Sequence, residues 1–401
     1  MVSITKRKLL KLFSLFGITA FTAPAWVGCD TSNTSIKNSD GSKFNGKVLI
    51  IGAGAAGMTA GYLLSQQGVD FQIIEASSSY GGRMKRDNSF ADFPLSLGAE
   101  WLHVDELELA KIVNDESVQI NIKTQPYNRK DKLGFYNNGK LSLENLGRVN
   151  DRKFVNSSWL DFFEEYIVPK IVNNILFDTE VISVDYQAQQ VTLRDRNGVK
   201  YVADKVLFTA PLQILKDARI NFTPSLPVKK QNAIDSAKVW RGIKVFIEFS
   251  NQFYRTFLGF PDSETREGQR VYYDASYAQN TNKNILGLFA VGTQAEPYLV
   301  RTGNDFKNYI LDELDLIYNG VPSSSYIKHI EQNWEQEPFI NSAYLSDFSA
   351  TKISSVLAES IQNKIFFAGE AYTREDDWGS VHNAARSARD AVNELLLKSI
   401  T

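Results

Sequence analysis

The chain has 401 residues, 43% of them hydrophobic, 12% aromatic and 22% charged; this composition excludes disordered, collagen-like and multi-span membrane chains. Its 44 basic and 46 acidic residues give a formal net charge of −2. With no block of like charge, the sequence offers no electrostatic footprint for nucleic acid. One cysteine and three histidines leave no intramolecular disulfide and little for a metal site, which counts against a zinc hydrolase or a cysteine protease.

In chain order, residues 1–29 come first and read as a signal peptide. Lys6, Arg7, Lys8 and Lys11 accompany an apolar run from Leu12 to Val27 that Gly, Thr and Pro interrupt. The run is too short and broken for a spanning helix, and it fits the h-region of a signal peptide. It ends in Trp26-Val27-Gly28-Cys29, and Cys29 is the single cysteine. A small residue before a lone cysteine resembles a bacterial lipobox, with Trp26 where Leu is usual; a plain signal with a chance cysteine is the alternative. Thr5-Lys6-Arg7-Lys8-Leu9-Leu10-Lys11 resembles the twin-arginine export motif, with Lys6 for the first Arg. Both resemblances imply export to a bacterial periplasm or cell envelope, with membrane attachment only through a lipid on Cys29. Residues 30–45, rich in Ser, Asn, Asp and Gly, read as a flexible tether.

Lys47-Val48-Leu49-Ile50-Ile51 is a continuous apolar run of the kind that forms a buried parallel strand. It leads directly into Gly52-Ala53-Gly54-Ala55-Ala56-Gly57 and then a helical stretch from Met58 to Gln67. A second apolar strand, Phe71 to Ile74, ends at Glu75. Gly52 suits the tight turn, Gly54 the approach of a pyrophosphate, and Gly57 the close packing of helix on strand. The helix N-terminus offers free N–H groups to the phosphates. Glu75 stands where a carboxylate accepts hydrogen bonds from ribose hydroxyls. The glycines alone would also fit a βαβ turn with no ligand; strand, glycines, helix, strand and acid in sequence point to a dinucleotide.

Ser77-Ser78-Ser79-Tyr80-Gly81-Gly82-Arg83 follows. It resembles the glycine-pair–arginine motif of two-domain flavoproteins, with Ser79 where an Arg is usual. Gly98-Ala99-Glu100-Trp101-Leu102-His103 resembles the GA-x-W-x-H segment that runs along the flavin in monoamine and polyamine oxidases. Towards the C-terminus, Ile365-Phe366-Phe367-Ala368-Gly369-Glu370 reads as a strand, and Trp378-Gly379-Ser380-Val381-His382-Asn383-Ala384 opens a last helix with Ala384, Ala388, Ala391 and Leu395 on one face. Through these motifs the chain resembles the flavin-containing amine oxidases, on the polyamine-oxidase side, from Lys47 to Leu397.

The resemblance implies an α/β two-domain FAD-dependent oxidoreductase: a Rossmann-like FAD domain and a substrate domain of mixed sheet plus helices. The FAD domain would comprise residues 46–104, 176–215 and 331–401. Residues 105–175, read as a short helical region, and 216–330 would form the substrate domain. FAD would be held without a covalent bond by Gly52, Gly54, Ala56, Gly57, Glu75, Gly82 and Arg83, then Gly98, Ala99, Glu100 and Trp101. Val181, Gly369, Glu370, Gly379, Ser380, Val381 and Ala384 would complete the set. Ala343 stands where monoamine oxidases carry the cysteine that bonds the flavin.

Three catalytic candidates follow. Lys244, in Gly242-Ile243-Lys244-Val245-Phe246, could be a snorkelling strand lysine; the resemblance implies instead the lysine that holds a water against the flavin. Tyr344 could be an ordinary sheet aromatic; the resemblance implies instead one wall of a cage that positions an amine, with the small hydroxyl residue Ser380 opposite. His103 could contact an amine or be a core histidine. Glu375-Asp376-Asp377 fits a solvated loop or a cation-attracting one. The implied reaction is oxidation of a small-molecule amine to an imine and then an aldehyde or ketone, with electrons passed to oxygen, giving hydrogen peroxide, or to another acceptor. An amino-acid oxidase or desaturase-like oxidoreductase on this scaffold, and a non-catalytic exported FAD-binding lipoprotein, are the alternatives.

Overall fold

The computed structural model describes residues 44–346, 351–373 and 379–397. The leader with Cys29 and the Glu375-Asp376-Asp377 run lie outside the described residues. Among them, no helix is long and apolar enough to cross a membrane.

The Lys47–Ile51 strand lies in the middle of a five-stranded parallel sheet. Asp70–Ile74 and Ile175–Leu176 lie on one side, with Lys205–Phe208 and Ile365–Phe367 on the other. Its uninterrupted apolar sequence fits this place, because helices and a second sheet cover both faces. On one face the Ala55–Gln66 helix packs with the C-terminal Val381–Leu397 helix. Ala384, Ala388 and Ala391 are buried at that contact, and their small side chains let the two axes approach closely. On the other face lies a four-stranded sheet that begins with the hairpin of Val191–Asp195 and Lys200–Ala203, turning at Gly198 (φ 85°).

The larger sheet has seven strands, in the order Tyr326–Asn333, Gly242–Phe249, Asn284–Gly292, Gly268–Asp274, Phe257–Gly259, Lys132–Asn137 and Lys140–Asn145. One pair, Phe257–Gly259 with Lys132–Asn137, is parallel, so the sheet is mixed. In the Gly242–Phe249 strand, Ile243, Val245, Ile247 and Phe249 point to one face. There they meet Phe306, Ile310, Leu314 and Ile317, the apolar stripe of the Gly303–Tyr318 helix. Lys244 and Phe246 therefore point to the opposite face, where Lys244 meets Ser96 and Glu100.

Residues 105–175 are not simply helical. Leu107–Val113 is a helix, and Trp159–Tyr166 is helical before two short 3₁₀ turns and the Ile175–Leu176 strand. Between them lie strands Thr124–Pro126, Lys132–Asn137, Lys140–Asn145 and Arg152–Phe154. Asn138 (φ 51°) and Gly139 (φ 75°) make the turn of a hairpin that extends the large sheet. Asn-Gly is the dipeptide such a turn favours, so the signal was in the sequence.

Candidate active site

A single cavity of about 950 Å³ joins the two halves. Apart from Gly57, every residue expected at the cofactor or the reacting centre lines it. Gly57 acts from behind: a Cβ there would sit 1.9 Å from the Gly52 carbonyl oxygen, so only glycine lets this helix start so close to the strand.

Gly52 (φ 104°) makes the turn out of the strand, and Gly54 caps the helix. A Cβ on Gly54 would meet no atom within 4 Å, so this backbone borders open cavity. Glu75 braces the loop: its carboxylate accepts Ala53 N–H at 2.6 Å and Ser77 N–H at 2.8 Å. Burial raises its proton affinity, and those backbone donors act against the rise. Gly81 N–H donates to the Ala53 carbonyl at 2.9 Å, which lays Gly81-Gly82 across the first helical turn.

Arg83 leaves that loop towards the distal segments. Its Nη1 donates to the Ala343 carbonyl and, at 2.9 Å, to Glu370 Oε1. Two charged residues expected to hold the cofactor thus meet each other and, with Ala343, tie three distant stretches of chain together. Ala343 itself presents only a methyl group to the cavity. Gly379, Ser380, Val381 and Ala384 add the N-terminal turn of the last helix, whose positive dipole end faces the same space. Asn341 has φ 54°, a backbone asparagine tolerates better than most residues.

Lys244 is 2% exposed on a central strand, so it is not an edge lysine reaching for water. Its ammonium donates to the Ser96 carbonyl at 3.0 Å and to Glu100. These bonds use two of three N–H groups, in a side chain that borders the cavity. Glu100 also pairs with Lys153 at 3.1 Å and accepts the Tyr273 hydroxyl. Burial alone would raise the Glu100 carboxyl, but Lys244 and Lys153 overcome it and hold the group below the usual carboxylate range. Burial lowers the proton affinity of Lys244, and Glu100 partly restores it. Glu100 thus borders the cavity while its carboxylate is bound by protein groups.

Tyr344 lies outside the sheets, its ring edge-to-face with Trp240 at 5.8 Å and its hydroxyl 3.4 Å from Gln269 Oε1. His103 also lines the cavity, and its Nδ1 lies 2.8 Å from Asp151 Oδ1; its partner is therefore a carboxylate. Val271, Phe289 and Val291 supply apolar wall. Asp151, Lys153, Tyr273 and Gln269 were not found from the sequence: they have no local motif, and only folding brings them to Glu100, His103 and Tyr344.

Residues 165–396 match the profile of the flavin containing amine oxidoreductases, and residues 50–115 that of an NAD(P)-binding Rossmann-like domain. The chain belongs to the flavin containing amine oxidoreductases. Within that family it is 24% identical to lysine-specific histone demethylase 1B of Mus musculus, over 82% of this chain and 50% of the relative. It is also 24% identical to polyamine oxidase 2 of Arabidopsis thaliana, over 88% of each. The chain spans about half the length of the animal histone demethylases it matches. Its fold is shared with putrescine oxidase: a structure of that protein bound to putrescine aligns with a TM-score of 0.71 and 14% identity, over 88% of this chain and 99% of the other.

FAD is the cofactor of this flavin containing amine oxidoreductase, and the residues present fit it. The open backbone at Gly54, the half-buried Glu75 carboxylate as acceptor and two helix N-termini as donors on one cavity are the groups a dinucleotide requires.

Proposed function

We propose that the protein oxidises a small amine carrying an α-hydrogen to the imine, which water converts to an aldehyde or ketone, and that oxygen takes the electrons and is released as hydrogen peroxide. The observation that carries this reading is the placement of the buried Lys244 ammonium and the Tyr344 ring on the same cavity as the dinucleotide cradle. Bound FAD supplies the two-electron acceptor. The remaining work belongs to the chain. Val271, Phe289 and Val291 exclude bulk water from the reacting end, as such sites require. Tyr344, fixed by Trp240, presents an electron-rich face to the amine. Lys244, with one N–H left over from Ser96 and Glu100, can orient the water that attacks the imine carbon. The His103–Asp151 pair adds a polar group to the same cavity for the substrate nitrogen.

The names of the polyamine and putrescine oxidases among its relatives and fold neighbours support aliphatic di- and polyamines as the substrate class. The test is oxygen consumption by the FAD-loaded protein with a panel of such amines and amino acids, with peroxide measured in parallel. Oxygen uptake matched by peroxide is expected with one amine class. Turnover that proceeds only with an artificial acceptor would overturn oxygen as the acceptor, and turnover only with amino acids would overturn the amine class.

A further inference from the structure

Glu100 is buried between two lysines from different parts of the chain. Lys244, on the Gly242–Phe249 strand, holds Oε2; Lys153, on the Arg152–Phe154 strand, sits 3.1 Å from Oε1. The side chains are 5% exposed or less, so water does not screen them. Lys244 borders the cavity, whereas Lys153 does not. Lys153 is anchored from behind, donating to the Ala275 carbonyl at 2.5 Å and the Asp274 carbonyl at 3.3 Å. Two cations therefore share one carboxylate, and the remote cation cannot turn away from it.

Resting on the amine-oxidising reading above, we propose that Lys153 is a positioning residue for the reaction: by holding the second oxygen of Glu100, it fixes the carboxylate's orientation and the share of its charge that Lys244 receives. Lys244 is thereby held at the cavity wall with its proton more loosely bound than in a simple lysine–glutamate pair. The other groups around it do not substitute for Lys153. Tyr273 is a phenol whose ionisation burial strongly opposes, so it acts on Glu100 only as a donor. Tyr127 is a second phenol of this kind, and Asp151 and Asp274 stand behind it and Lys153. Across the sheet, Lys244 pairs with Phe289 and Gln332, neither of which titrates. The pull of Glu100 raises the proton affinity of Lys244 and the repulsion of Lys153 lowers it, which makes the two partners separable by sign.

The test compares Lys153→Met, Lys153→Arg and Glu100→Gln with the parent protein, all loaded with FAD. Two readouts are taken. The first is a pH titration of lysine side chains by NMR, with ¹³Cε label and the Lys244 signal assigned by its loss in Lys244→Met; it needs no substrate. The second is the pH profile of anaerobic flavin bleaching by the best amine. Lys153→Met should move the Lys244 titration to higher pH, by about tenfold in proton affinity (about 1.4 kcal/mol). Glu100→Gln should move it to lower pH, and Lys153→Arg should restore the parent value. A purely structural role would move both variants the same way or neither. An unmoved Lys244 signal in Lys153→Met overturns the proposal, as does a moved signal with an unmoved bleaching profile. If no amine bleaches the flavin, the functional reading fails instead, and the NMR titration still decides whether Lys153 controls the proton of Lys244.

Discussion

Adding one methyl group at Gly54 and, separately, at Gly57 divides the dinucleotide turn into its ligand-facing and its packing part. At Gly57 the new Cβ would lie 1.9 Å from the Gly52 carbonyl oxygen, a backbone atom that can move only with the turn itself. Overpacking of this kind costs about 1–3 kcal/mol, and the upper end applies where backbone must give. In a chain of this size that is a Tm loss of about 1–4 °C. At Gly54 nothing lies within 4 Å and φ is −79°, so alanine fits the empty protein. The weaker N-cap and the stiffer unfolded chain nearly cancel, leaving apoprotein stability within about 0.5 kcal/mol of the parent. The same methyl projects where a pyrophosphate must approach the backbone, so FAD affinity should fall about 10- to 100-fold, or 1.4–2.8 kcal/mol. Thermal unfolding of flavin-stripped protein and titration with FAD, followed by flavin fluorescence, measure the two effects separately. Wild-type FAD affinity in Gly54→Ala, or an apoprotein as damaged as that of Gly57→Ala, would refute this division of labour.

Lys244→Met should slow amine turnover by at least tenfold while leaving FAD bound; stopped-flow measurement of flavin bleaching and reoxidation will show which half of the cycle is affected. Glu108, buried on the Leu107–Val113 helix, takes a two-pronged hydrogen bond from Arg386, with both contacts at 2.8 Å. Burial pushes its carboxyl up, but Arg386 and Lys111 bring it below the usual range, so its stabilisation is present at neutral pH and is lost as pH falls through the lowered value. Glu108→Gln should cost about 2 kcal/mol at pH 7, less than for a fully buried pair because Arg386 is partly exposed, and should flatten the acid limb of the stability curve. Lys230 acts in the same direction but over a higher pH range. Burial pushes it down to about 7 from 10.5. Between those pH values the unfolded chain holds more protons than the folded one, so stability rises with pH. Lys230→Met should remove that rise in urea titrations at pH 6 and pH 9. Trp159, fully buried against Phe154 and Phe162, should cost about 3–5 kcal/mol when cut to alanine, read as a lowered urea midpoint.

The cofactor half of the molecule was readable from the sequence because its signals are local. The strand before Gly52, the glycines and Glu75 lie within one βαβ unit, and the Gly81-Gly82-Arg83 and Gly369-Glu370 strings are short. Lys244 was found in the same way, but its environment was not. Glu100 is 144 residues from it, and Lys153 joins through a strand that the sequence reading had assigned to a helical region. Composition did not separate a snorkelling lysine from a buried one, since both occur in alternating strands. That distinction depends on the strand lying inside a seven-stranded sheet whose two faces are both covered. The pairing of Arg83 with Glu370 was hidden for the same reason: each matched a cofactor motif by itself, and only the fold shows that they touch.

The most direct measurement is an anaerobic spectrum of the FAD-loaded protein titrated with mono-, di- and polyamines. The visible flavin band should bleach with at least one of these amines, and the Lys244→Met protein should bleach or reoxidise more slowly. A flavin band that none of them bleaches would contradict the account.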